Sequence, residues 1–323
     1  MKRRTLGHTG FEVSEIGYGM WGMSGWSGSE EAQSLQSLQL AVDLGCTFFD
    51  TAWAYGNGQS DHYLGRTLAA NPGKQLVAAS KVPPLNGCWP ALPSYRYAEA
   101  FPKTHVLACV NQMREALQQD SVDVLQFHVW DDSWTDDPEF RATVETLKRD
   151  GLIRAFGLSL NRWQPENGLR AIRSGLVDVV QVVYNIFDQS PDDELFPLCR
   201  EMNIGVIARV PLDEGSLSGH FTAATTFPEG DWRARYFNTE NLAATLVRVD
   251  HLKKIVPEGM SLPELALRFI LANPAVSTLI AGMRTPAHVR SNIACGDGNP
   301  LSPELLQELK KHRWNRKPAH VVS

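Results

Sequence analysis

The stretch Phe48-Phe49-Asp50-Thr51-Ala52-Trp53-Ala54-Tyr55-Gly56 is a short apolar run that ends on a carboxylate and is followed, five residues later, by a phenol. It reads as a strand whose last residue is Asp50, with Tyr55 on the loop beyond, because a run apolar on both faces of a strand needs cover on both sides. Outward from this stretch the same unit recurs. Strands are expected over 17–20, 47–50, 76–81, 122–128, 155–159, 177–184, 205–210 and 276–281, and most are uniformly apolar rather than alternating. Between them lie segments with helical spacing, such as Val106, Val110, Met113 and Leu117, or Phe140, Val144 and Leu147 before Gly151. Cap signals support the helices. The segment 27–45 opens with Ser27, Ser29 and two glutamates and stops at Gly45, and Ser261-Leu262-Pro263-Glu264 is a capping-box pattern with proline in the first turn. A single short helix is expected after Thr285-Pro286. Eight covered parallel strands alternating with helices close most naturally into a (β/α)8 barrel, an α/β fold forming one domain over residues 1–323. Ahead of it, Gly7-His8-Thr9-Gly10 marks a short hairpin that would add little core of its own.

Composition narrows the function. The 323 residues carry 31 basic and 36 acidic side chains, a net charge of -5, too mild a balance for nucleic acid or an anionic membrane surface to be the main partner. The 5 cysteines are widely spaced and never form a Cys-x-x-Cys pair, so neither a disulfide framework nor a metal site is indicated. The basic start Met1-Lys2-Arg3-Arg4 lacks the apolar stretch of a signal peptide, and no apolar run reaches membrane-spanning length. A cytoplasmic protein acting on a small molecule is the expectation.

Two segments break the alternation. Residues 82–104 hold Pro83, Pro84, Pro90, Pro93 and Pro102 with Trp89, Tyr95, Tyr97 and Phe101, a rigid aromatic loop, and residues 212–241 are long and contain glycine. Both leave the C-terminal ends of strands, the face on which barrel active sites lie. Asp50, Lys81 and His128 end strands and Tyr55 follows one, so all four project onto that same rim. Each alone reads as a cap, a packed ring or a solvated charge; four together read as one organised site. A phenol is a weak acid with a reference pKa of about 10, which a neighbouring ammonium lowers, and a buried carboxylate keeps that ammonium charged. An imidazole can donate a hydrogen bond to a carbonyl oxygen.

Asp50-Thr51-Ala52-Trp53-Ala54-Tyr55-Gly56, Ser80-Lys81-Val82 and Val122-Asp123-Val124-Leu125-Gln126-Phe127-His128 resemble three signature stretches of the aldo-keto reductases, in a bacterial-type branch. The resemblance extends from Gly17 to Asn292. It implies a catalytic tetrad of Asp50, Tyr55, Lys81 and His128, reducing an aldehyde or ketone with NADPH and using Tyr55 as general acid. The same site run oxidatively would make a sugar or alcohol dehydrogenase, and a regulatory barrel that only binds the nucleotide is a further alternative.

The resemblance also implies a nucleotide site. No Gly-x-Gly-x-x-Gly follows the first strand, so a doubly wound dinucleotide domain is not supported. The glycine-spaced run Gly19-Met20-Trp21 lets a ligand approach the backbone. Gly157-Leu158-Ser159-Leu160-Asn161 and Gln181 are similar to the family's carboxamide-holding set, with Asn161 one residue later than usual. Arg209 stands where many relatives place a stacking tyrosine and could instead pair with an acid such as Asp178 or Asp213, while Pro211, Leu212, Gly215 and Ser216 resemble the loop that wraps the pyrophosphate. Gly282, Arg284, Thr285, His288 and Asn292 resemble the segment holding the adenosine 2'-phosphate, with Thr285 as N-cap and Pro286 opening the helix. NADP(H) is therefore preferred, with NAD(H) possible. For the substrate, Trp21, Trp53, Trp89 and Trp130 are candidate walls of an apolar pocket; any one of them could equally be loop packing.

Overall fold

In the computed structural model, which describes residues 1–23 and 30–316, eight parallel strands close on themselves. After a hairpin of β1 (Arg3–Thr5) and β2 (Glu12–Ser14), the barrel runs through β3 (Ile16–Gly19), β4 (Phe48–Asp50), β5 (Val77–Val82), β6 (Val122–Phe127), β7 (Ile153–Ser159), β8 (Val179–Val183), β9 (Gly205–Arg209) and β10 (Thr278–Gly282), which pairs back onto β3. Every barrel pair is parallel, with registers such as Asp50↔Ala79, Lys81↔Gln126 and Ser159↔Gln181. The apolar character of the strands has its cause in two separate cores. Their outward residues, among them Phe49, Leu125, Phe156 and Val180, pack under the helices, while the inward residues Phe48, Val77, Ala79, Val124, Ala155, Val179, Ile207 and Ile280 fill the barrel.

The hairpin is more than an appendage. Leu6, Phe11 and Val13 join the inward core and plug the N-terminal end of the barrel. That correction follows from geometry: a closed barrel leaves its lowest layer of side chains facing water unless something covers it. The tip fits because Gly7, at φ +55°, lies so close to Gly205 N that an added Cβ would fall 2.2 Å from it.

Element ends differ from expectation by a few residues, and three segments differ in kind. The start expected at Ser27 lies outside the described residues; the helix observed is Glu31–Asp43, and Gly45 then turns left-handed at φ +91°. The 212–241 segment contains a 3-10 turn, Asp213–Ser218, and a short helix, Arg233–Tyr236. Two helices follow β10, Pro286–Ala294 and Pro303–Lys310, and both begin as proline after a Thr or Ser cap.

One buried acid ties the helix that carries the active-site turn to the barrel. Asp61, on the helix Gln59–Ala69, is fully enclosed; its Oδ1 accepts from Ser80 Oγ at 2.6 Å and its Oδ2 from Thr51 Oγ1 at 3.3 Å. Burial raises its pKa to about 6 from an ordinary 3.8, against the pull of those hydroxyls and of Lys81. Between about pH 4 and 6 the folded protein thus holds a proton that the unfolded chain has lost, so this group's contribution to stability falls as pH rises through that window.

Two outcomes are expected from denaturant unfolding. Leu6→Ala should cost ~2–5 kcal/mol, because a buried leucine in the plug leaves a cavity, whereas a decorative hairpin would lose almost nothing. Asp61→Asn should remove a stability decline on the order of 2 kcal/mol between pH 4 and 6 relative to the parent chain. An unchanged pH slope would contradict that assignment.

Candidate active site

At the C-terminal rim β4 ends on Asp50, β5 presents Lys81 one residue before its end, and His128 follows β6 directly. Tyr55 sits in the turn after β4. That turn is held by Tyr55 N donating to Ala52 O at 2.9 Å and Ser60 N donating to Tyr55 O at 3.2 Å. Its tightness depends on Gly58 at φ +86°, where an added Cβ would meet the Trp53 ring at 2.5 Å.

The four side chains converge. Lys81 Nζ donates to Asp50 Oδ2 at 2.6 Å and to Thr51 O at 2.7 Å, with neither side chain of the ion pair more than 3% exposed. The same ammonium lies 5.4 Å from the centre of the Tyr55 ring, and the Tyr55 and His128 rings meet edge-on at 5.7 Å. Asp50 is held from its other side: Oδ1 accepts from Gln181 Nε2 at 2.7 Å and from Gln126 Nε2 at 3.4 Å. Gln126 was not singled out in the sequence, where it is a lone amide in a strand whose other polar residue is Asp123. Gly157 leaves room for it, since a Cβ there would lie 3.1 Å from Gln126 Cγ.

Burial governs the protonation states. It lowers the Lys81 pKa, against the upward pull of Asp50. His128 is pushed well below its usual range by burial first, then by Lys81 and Arg209, so its imidazole is neutral at pH 7. The Tyr55 phenol is pushed above its ordinary value by burial and then by Asp50, with Arg209 pulling the other way. Lys81 was expected to supply that pull; with two of its N–H groups committed to Asp50 and Thr51, its charge is largely answered before it reaches the phenol.

Opposite the tetrad, β7, β8 and β9 bring Ser159, Gln181 and Arg209 to the same rim. Ser159 and Gln181 are register partners. Gln181 is turned to Asp50, and Asn161 Nδ2 donates to Ala91 O at 3.1 Å and to Gln164 Oε1 at 3.0 Å, bracing the proline-rich loop. Arg209 does not pair with either acid considered for it. Asp178 binds His8 and Lys148 at the far end of the barrel, and Asp213 binds Arg316. Pro211, Leu212, Gly215 and Ser216 form the turn after β9, in which Val210, Asp213 and Glu214 have φ of +57°, +44° and +55°. Ser216 Oγ donates to Asp213 Oδ2 at 2.6 Å. Arg162 pairs with Glu214 across this turn, linking the β7 and β9 loops.

Next to β3, Gly19 is half-buried, Met20 buried and Trp21 37% exposed. Beyond β10, exposed Gly282 and Arg284 precede the helix capped by Thr285, whose hydroxyl accepts from His288 N at 3.3 Å; Asn292 is buried and donates to Gly282 O at 3.4 Å. Among the described residues, buried polar atoms around the mouth without a hydrogen-bond partner include His128 Nδ1, Gln126 Oε1, Arg162 Nη1 and Arg209 Nε. Such atoms are uncommon in folded proteins, and several at one opening fit a polar ligand that completes them.

On the substrate side, Trp89 packs edge-on against His128 at 4.5 Å and is 44% exposed, and Trp53 is half-buried over its own turn. Trp130 is elsewhere. It is fully buried among Phe127, Trp134 and Phe140, in the core rather than on an open wall. Among the described residues no cluster of metal-ligating side chains is present, and no helix is long and apolar enough to cross a membrane.

Comparison with known proteins agrees with this geometry. Aldo-keto reductase YhdN of Bacillus subtilis is 28% identical over 90% of this chain and 87% of its own. The NADH-specific methylglyoxal reductase of Escherichia coli is 27% identical, covering 91% of this chain and 93% of its own. The holo form of the aldo-keto reductase AKR11C1 from Bacillus halodurans superposes with a TM-score of 0.74 at 28% identity, over 98% of this chain and 97% of that one. Residues 15–313 match the aldo/keto reductase family as a whole. The chain belongs to the aldo/keto reductase family and is an NAD(P)H-dependent oxidoreductase.

Proposed function

We propose that the protein reduces an aldehyde or ketone to an alcohol, with Tyr55 giving the carbonyl oxygen its proton and NADPH the preferred reductant. The observation that carries this reading is the convergence of a buried Lys81–Asp50 ion pair, a phenol and a neutral imidazole at one barrel mouth. When bound, the nicotinamide supplies a hydride. Everything else is done by the chain. Tyr55, kept protonated by burial, is a competent proton donor at neutral pH. The alkoxide that develops on the substrate draws that proton, and the phenolate left behind faces Lys81 and Arg209, both cationic. Asp50 holds the ammonium charged where burial would otherwise strip it. A neutral His128 donates one N–H to the carbonyl oxygen and fixes its direction toward Tyr55.

Gly19, Met20, Trp21, Ser159, Asn161, Gln181, Arg209, the 211–216 turn and the 282–292 segment are proposed as the nucleotide's surroundings. A capped helix N-terminus with Arg284 beside it suits a 2'-phosphate, which favours NADPH over NADH. The relative from Escherichia coli is NADH-specific by name, so this preference belongs to the few residues at that helix start. The exposed Trp89 beside His128 favours a substrate with apolar surface.

Tyr55→Phe should reduce carbonyl turnover by roughly 100- to 10,000-fold while leaving the Kd for NADPH within a few fold, and that Kd should be tighter than the one for NADH. Turnover measured by loss of nicotinamide absorbance, with calorimetric titration of both nucleotides, checks the two halves together. Undiminished turnover in the variant would contradict the assignment of Tyr55; equal affinities would contradict the phosphate preference.

A further inference from the structure

Three cations at the barrel mouth are paired with carboxylates, and a fourth is not. Lys81 is paired with Asp50, Arg162 with Glu214, and Arg316 with both Asp188 and Asp213. Arg209 has no carboxylate partner among the described residues. Its Nη2 donates to the carbonyl of Leu160 at 3.0 Å, and its Nε is buried with no acceptor at all. His128 beside it is neutral and adds nothing to balance it. Arg209 is therefore a buried cation without an ion-pair partner, an expensive arrangement in a low-dielectric site unless a ligand uses it.

The position of that charge is firmly set. Arg209 is the last residue of β9, its carbonyl accepts from Tyr184 N at 3.3 Å, and the carbonyl of the next residue, Val210, accepts from Asn185 Nδ2 at 3.1 Å. Val210 is β-branched yet sits at φ +57°, a strained conformation of the kind that persists where its surroundings over-determine it. Burial and then the charge of Arg162 push the Arg209 guanidinium down to about 10, which still leaves it cationic at neutral pH.

A carbonyl held between Tyr55 and His128 rests on the β4–β6 side of the mouth. The surroundings proposed above for the nucleotide include the ends of β7, β8 and β9, and there Arg209 stands without an ion-pair partner among the described residues. The reduced nicotinamide ring is neutral and electron-rich; the oxidised ring is a cation. All other charges of the two nucleotide forms are identical. We infer that Arg209 makes this mouth selective for the redox state of its nucleotide, its unpaired guanidinium favouring the neutral reduced ring and repelling the cationic oxidised one. The inference rests on the mouth being a nicotinamide-nucleotide site, as proposed above. Its consequence is directional: the spent oxidised nucleotide is the weaker ligand and leaves, so the site is biased toward carbonyl reduction rather than alcohol oxidation. Two unit charges about 4–5 Å apart, at an effective dielectric of about 20, repel enough to change a Kd on the order of 100-fold, and solvent relaxation leaves roughly tenfold or more.

The test is binding rather than turnover. Calorimetric titration of the full chain with NADPH and with NADP+ gives a ratio of dissociation constants, for the parent, for Arg209→Met and for Arg209→Lys. The parent should hold NADPH at least about tenfold more tightly than NADP+. Arg209→Met should bring the ratio toward one, mainly by tightening NADP+, and Arg209→Lys, which keeps the charge, should retain most of it. Arg209→Gln, which keeps a donor for Leu160 O, carries the same comparison if the methionine variant does not fold. A parent ratio near one with both forms bound, or a ratio unmoved by removing the charge, would overturn this inference alone. Binding of neither form by the parent would overturn the nucleotide reading and this inference with it.

Discussion

The buried ion pair between Lys81 and Asp50 is the interaction on which the rest of the barrel mouth depends. Neither charge has access to water, and each alone would be driven neutral or would unfold its surroundings. The pair persists because its remaining hydrogen-bonding capacity is filled: Thr51 O takes a second N–H from Lys81, while Gln181 and Gln126 donate to the free oxygen of Asp50. Those partners come from four different strands, β4, β5, β6 and β8, or from the residue just after one. The pair can form only when the barrel is closed, and a closed barrel is what sets Tyr55 and His128 against it. Strand closure and the proposed chemistry are in this sense one constraint.

A second polar network fixes the other half of the rim. Arg316, near the end of the described chain, enters between Asp188 after β8 and Asp213 after β9, while Tyr236 donates to Asp213 at 2.8 Å and Trp163 donates to Asp188 at 2.8 Å. Burial opposes ionisation of Asp213, yet Arg316 holds its carboxyl below the ordinary range. Three rim loops and the C-terminal segment are thereby tied into one unit, from which the turn bearing Gly215 and Ser216 hangs. The two halves differ: one pairs Lys81 with Asp50 beside Tyr55, and the other leaves Arg209 without an ion-pair partner.

Much of this was legible in the chain because it depends on local pattern. Apolar runs alternating with amphipathic segments gave the barrel, and polar residues breaking those runs at their ends gave Asp50, Lys81 and His128. Thr285 before Pro286 gave a helix start with its cap. What escaped had no local signature. Trp130 lies two residues after His128 and reads as part of the same rim, yet it turns into an aromatic core built from residues 97–156, which only tertiary contacts define. Leu6, Phe11 and Val13 are too few to announce a core and become one because the barrel supplies eight inward residues for them to cover. Arg316 and its two acids lie more than 100 residues apart in sequence, so nothing in the neighbourhood of any of them indicates a partner.

The central claim is that the Lys81–Asp50 pair, through Tyr55, governs proton delivery to a carbonyl. Single-turnover reduction of a simple aldehyde by the NADPH-loaded protein, compared between the parent and the double variant Asp50→Asn/Lys81→Met, is the decisive measurement, because removing both charges together leaves neither member of the pair as a lone buried ion. The account predicts a folded protein that still binds NADPH but whose single-turnover rate is lower by on the order of 100-fold or more. A folded double variant that consumes NADPH at the parental rate would contradict it.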